Sequence, residues 1–178
     1  MKPTLLIASP QMRDTYFEGT LVLVWRHDET GALGVVINKV MPHDMLESLE
    51  LPDDLDTEPY RQQKLWWGGP VEEQSGTVLT LAEIDAERGW LLDEGIGISR
   101  SMDVLQELMA KHERLELCLG YAGWGPGQLE AELKDGSWLW TEVSAEFVFS
   151  LPVEERYGAA LATLGLTPQT LWMPPAEA

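Results

Sequence analysis

Residues 118–135 read CLGYAGWGPGQLEAELKD, and four glycines, Gly120, Gly123, Gly125 and Gly127, fall between an apolar strand-like run and a helical pattern. Glycine-rich junctions of this kind hold phosphates when backbone N–H groups converge at a helix start. The spacing argues against that chemistry here. A dinucleotide fingerprint needs a third glycine where this chain has Gln128, and no Lys-Ser or Lys-Thr pair follows to complete a P-loop. The same residues make a sound helix start, with Gly125 as N-cap, Pro126 at N1 and Gln128 at N3 able to reach back to the cap. Glu130 and Glu132 then lie near the positive end of the helix dipole, where they repel a phosphate. The residues favour a packed corner.

Other groups invite chemistry. His27-Asp28 and His43-Asp44 are acid–base or metal candidates, but neither has the i, i+4 spacing of a zinc helix, and His112 near a helix end suits the dipole. Cys118 lies in an apolar run with no cation beside it, which makes an inert thiol, and no nucleophile-elbow motif is present. No catalytic residue, metal ligand or cofactor is therefore assigned. A ligand or partner site arises if the corner meets a second glycine turn, Gly68-Gly69-Pro70. Gly123, Trp124, Gly127 and Gln128 would then share one concave surface with that turn. The His27 ring, the Asn38 amide, Glu130 and backbone N–H groups would supply its polar contacts. The structural reading stands beside this one: Asn at a strand end bonds local backbone, and Gly-Gly adopts conformations closed to other residues.

The elements that must position these residues mix strands and helices without strict alternation, which favours α+β over a doubly wound sheet. Strands are expected over residues 4–9, 20–27, 32–40, 64–67, 76–81, 95–99, 115–121 and 138–143. The second and third form a hairpin around residues 28–31. Helices are expected over 42–49, 102–112 with Ser101 as N-cap, 126–134 and 153–164. The acidic LPDDLDTEPYRQQ segment is a surface loop. Trp66 and Trp67, adjacent in a strand, point to opposite faces, so at most one is expected to face a core. The other, or Trp172 in the proline-rich tail, marks a partner surface or covers a satellite cluster.

The chain has 178 residues, 44% apolar and 24% charged, as in an ordinary globular protein, and no linker divides it, so one domain over residues 1–178 is expected. With one cysteine, no internal disulfide is possible. No apolar run is long enough for a signal peptide or membrane span, which leads us to expect a cytoplasmic protein with no membrane partner. The 30 acidic and 12 basic side chains give a net charge of −18. Nucleic acid recognition needs clustered Lys and Arg, so direct nucleic-acid binding is not expected.

Three stretches, LLIASPQMRDTYFEGTLVLVWRHDETGALGVVINK, WGGPV, and GYAGWGPGQLEAEL followed by SWL, together resemble the YqgE/AlgH family of bacterial proteins. The resemblance implies an α+β fold with a bifurcated sheet curled into a pseudo-barrel and flanking helices. The family carries the label of transcriptional regulator, with no established enzymatic activity or cofactor. Its pattern has a histidine where this chain has Thr80, which removes that position as a base or ligand. Together these readings point to a non-catalytic regulatory or interaction protein working through a protein partner or small ligand. The alternative is an enzyme of unassigned class, or a small-ligand-binding protein, using the glycine-rich cleft.

Overall fold

The computed structural model describes residues 1–10, 12, 14–167 and 169. Its first strand, β1 (Thr4–Ala8), lies between β2 (Leu21–Asp28) and β10 (Trp138–Glu142), antiparallel to both. β2 turns through Glu29 and Thr30 into β3 (Gly31–Val36), with Asp28 opposite Gly31. The expected hairpin is present, but its loop is two residues long. The side chain of Asp28 accepts the Thr30 amide at 2.8 Å and closes it. β4 (Val40–Asp44) pairs with β5 (Lys64–Trp67); β6 (Val71–Thr80) leads to β8 (Gly97–Ser99) and the two-residue β7 (Trp90–Leu91). The long β9 (Leu115–Trp124) joins these groups.

Among the described residues four helices cover the sheet: α1 (Met102–Ala110), α2 (Gln128–Lys134), α3 (Ala145–Phe149) and α4 (Val153–Thr163). Short 3-10 turns occupy Met45–Ser48, Glu58–Tyr60 and Asp93–Gly95. Ser101 caps α1 as its sequence predicts, accepting the Val104 amide, and Ser144 does the same for α3, which the sequence reading missed. The helix expected over 42–49 is instead β4 followed by a 3-10 turn. Pro42 is tolerated there because β4 pairs with β5 alone, so no second ladder needs its missing N–H.

The runs LLIA and LVLVW are continuously apolar because the sheet has core on both sides. Leu5, Ile7, Leu21, Leu23 and Trp25 pack with α3 and α4, while Leu6, Ala8, Val22 and Val24 pack on the opposite face with Trp124, Leu129 and Trp138. Trp66 and Trp67 follow the same rule. Trp66 enters the first cluster, and Trp67 packs half-buried against the second, so both face a core. A third cluster lies under α1. Buried Arg156 of α4 donates to the carbonyls of Ile37 and Leu151 and lies 4.9 Å over the Trp66 ring, tying the helix to the end of β3.

β9 is where the sheet forks. One edge pairs with β6. The other is shared: residues 117–119 run parallel to β5, and residues 122–124 run antiparallel to β3. At the branch, the Gly68 amide donates to the Leu119 carbonyl at 2.7 Å, and the Val36 amide donates to the Gly68 carbonyl at 2.8 Å. Three backbones meet with no room for a side chain. A Cβ on Gly68 would sit 2.3 Å from the Gly120 carbonyl oxygen, and one on Gly120, whose φ is +74°, 2.2 Å from that of Gly69. The sheet is thus mixed and bifurcated. Its strand order runs from β10 to β7 with two distinct ends, so among the described residues no hydrogen-bonded ring closes it into a barrel. It does curl: Trp90 of β7 lies 5.8 Å from the Trp25 ring of β2.

The fork sets a graded expectation for alanine scanning by urea denaturation. Gly68→Ala and Gly120→Ala each lower stability by at least about 3 kcal/mol. Gly125→Ala, whose Cβ meets only the Gln128 side chain at 3.9 Å, changes it by less than about 0.5 kcal/mol.

Candidate functional site: the aromatic cleft at the glycine-rich corner

The stretch that reads as a turn is largely strand. Gly120 and Gly123 lie inside β9, which runs three residues beyond the expected end, because the fork and the pairing of Gly123 with Leu33 keep the backbone extended. Only Gly125 and Gly127 belong to the corner itself. The N-cap of α2 is Gly127, at φ +73°, not Gly125. The expected reach-back survives in that frame, with the Gly125 amide donating to Oε1 of Gln128 at 3.0 Å.

From that capping bond the corner extends inward. Nε2 of Gln128 donates to Oε1 of Glu132 at 2.9 Å. Oε2 of Glu132 accepts two indole N–H groups, from Trp124 at 2.8 Å and Trp138 at 2.9 Å. One carboxylate thus fixes two buried tryptophans from different strands. The two indoles lie edge to face, 5.9 Å apart, and Phe17 packs at 6.4 Å from Trp124 and 5.6 Å from Trp138. Beyond Phe17 stand Trp67 and exposed Tyr16. A cleft of about 460 Å³ opens against this wall, bordered by Asp14, Gly123, Gln128, Asp135 and Ser137 among others.

Of the residues expected to form a site, Gly123, Trp124 and Gln128 line this cleft, and Gly127 supplies the helix start beside it. His27 and Glu130 meet outside the lining, with His27 Nε2 2.7 Å from Glu130 Oε1. Backbone hydrogen bonding by Glu130's own amide, and next the His27 contact, hold the Glu130 carboxyl below its ordinary value. Gly68 and Gly69 pack on residues 120–122, in the middle of β9, with Pro70 following them. Asn38 sits at the far end of the β2–β3 hairpin, accepting the Leu21 amide at 2.8 Å and donating to the Gly19 carbonyl at 2.9 Å. Trp172 lies outside the described residues. Phe17, Trp138, Asp14 and Asp135 had no signal as a group, since they come from two distant segments. Glu132 had one: Trp124, Gln128 and Glu132 recur every four residues.

Cys118 is buried in the sheet, and burial pushes its thiol well above the ordinary value, leaving it protonated and inert. Among the described residues no group of three His, Cys, Asp or Glu side chains is placed to hold a metal ion, and no helix is long and apolar enough to cross a membrane.

Residues 5–169 match the family described as AlgH-like. A UPF0301 protein of Ralstonia nicotianae is 38% identical over 169 residues, covering 93% of this chain and 89% of that one. Another, from Chromobacterium violaceum, is 39% identical over 171 residues, covering 93% and 91%. The solution structure of the AlgH protein from Pseudomonas aeruginosa superposes with a TM-score of 0.79 at 36% identity, covering 99% of this chain and 95% of that one. A crystal structure of a Corynebacterium diphtheriae protein, at 23% identity and a TM-score of 0.70 over 96% and 90% of the two chains, shares the fold.

Two outcomes test the corner. Glu132→Ala strands two indole donors and costs about 2 kcal/mol, while Glu132→Gln, which keeps an acceptor, costs less than half of that in thermal and urea melts. His27→Ala raises the Glu130 carboxyl toward 4.5 in an NMR titration. Because the folded value is depressed, the stabilisation it reports is present above that ordinary value and lost as pH falls through the folded one; the variant shows less of this loss. By sequence and fold alike, this chain belongs to the AlgH-like family.

Proposed function

We propose that this chain is a non-catalytic interaction protein of the cytoplasm, acting as one domain, that engages a protein partner or small ligand through the aromatic cleft. The observation that carries this reading is the double acceptance by Glu132, which holds Trp124 and Trp138 in one arrangement before anything binds. Preorganised aromatic walls with a few fixed polar groups are what a recognition site needs.

The lining offers little for catalysis. It contains no Cys, His or Lys among the described residues, and the hydroxyl of Ser137 is given to Asp135 at 2.6 Å. That bond, with the Ser137 amide, holds the Asp135 carboxyl below its ordinary value, so it stays ionised and makes a poor proton donor. A regulatory role, on this reading, runs through protein or small-molecule contacts. A net charge of −18 opposes association with a nucleic-acid backbone.

A cleft-filling variant tests the proposal. Ser137→Phe, confirmed as folded by its melt, is compared with the unaltered protein for the proteins and small molecules that co-purify. Loss of a retained species from the variant is expected. Identical sets from both would contradict the assignment.

A further inference from the structure

Trp66 serves two opposite charges at once. Its indole N–H donates to Oε2 of Glu116 at 2.8 Å, and its ring face carries the Arg156 guanidinium at 4.9 Å. Arg156 is fixed from two further sides, because Nε donates to the Leu151 carbonyl at 2.9 Å and Nη1 donates to that of Ile37. Neither charged group is free to swing toward the other. Among the described residues no ion pair joins Glu116 to Arg156, nor to Arg114, which donates to the Phe149 carbonyl. The charges still act on one another: burial pushes the Glu116 carboxyl above its ordinary value, while the Trp66 hydrogen bond and then Arg156 and Arg114 draw it back.

The two side chains line one cavity of about 10 Å³, walled elsewhere by Leu79, Cys118 and Val148. Each keeps a polar atom without a protein partner. Oε2 of Glu116 takes the indole and leaves Oε1; Nε and Nη1 of Arg156 go to carbonyls and leave Nη2. Arg156 is only 5% exposed, so bulk solvent does little for it. A buried charged donor left unpaired is costly, and closing the pair would pull both groups off Trp66. A cavity of this volume admits one water molecule and nothing larger. That water finds a donor on one side, an acceptor on the other and the Cys118 thiol as a weak third partner.

We propose that one ordered water occupies this cavity and bridges the buried pair, accepting from Nη2 of Arg156 and donating to Oε1 of Glu116. The site completes the anchor of α4. The helix is held to the sheet through a hydrated pair that Trp66 spaces apart, and the aromatic cleft takes no part in it.

A high-resolution crystal structure of the full chain reads the site directly. A water peak within hydrogen-bond distance of both atoms is expected; direct contact between the carboxylate and the guanidinium, or no peak between them, would overturn the proposal. Cys118→Val gives a second reading, since its larger side chain takes up the space at the cavity wall. The variant is expected to lose the water peak and, with both polar atoms stranded, to melt about 2–4 °C lower. An unchanged or higher Tm, the mark of filling a dry cavity, would contradict the assignment. If the variant does not fold, the structure of the unaltered chain decides.

Discussion

The architecture depends on a close approach of backbones at one point. Where β9 passes from its pairing with β5 to its pairing with β3, Gly68, Gly69 and Gly120 bring three strands together at distances that no side chain can share. The hydrogen bonds made there, Gly68 to Leu119 and Val36 to Gly68, tie the end of β5 directly to β9 and β3, between the ladders that β9 makes with each. Because β9 continues unbroken past the branch, it delivers Trp124 to the opposite face and sets the starting point of α2.

That delivery explains the corner. A helix begun at Gly127 places Gln128 and Glu132 on the side facing the strand, so the capping residue and the double acceptor belong to one chain of hydrogen bonds. Trp138 arrives from the neighbouring part of the sheet through β10, and its indole reaches the same oxygen. The acids of α2 divide by position: Glu130 faces outward to His27, and Glu132 faces inward to the tryptophans. A helix dipole alone does not distinguish them. Side-chain direction does.

Much of this was legible in the residues, and the misses have physical causes. The β2–β3 hairpin, α1 with its serine cap, α4, and the class of fold follow from period, turn chemistry and caps, which are local. The strand β9 runs past its expected end because glycine reads as punctuation, whereas Gly120 is required inside the strand by an approaching backbone and Gly123 simply pairs there with Leu33. β7 and α3 are too short for a periodic signal, and β4 carries a proline that an edge strand tolerates. The cleft was only half visible: Gly123, Trp124 and Gln128 come from the motif, but Asp14, Phe17, Asp135 and Trp138 are brought to it by the β1–β10 pairing, a contact across most of the chain. The resemblance to the AlgH-like family anticipated the forked sheet, which no local pattern encodes.

The fork is the keystone of the fold, and native-state hydrogen exchange tests this most directly. The amides of Val36 and Gly68 and the indole N–H of Trp124 are predicted to exchange together, only through the global opening that also exposes β1 and β2. Fast exchange at Val36 and Gly68, while β1, β2 and the Trp124 indole remain protected, would show that the fold and its cleft stand without the fork.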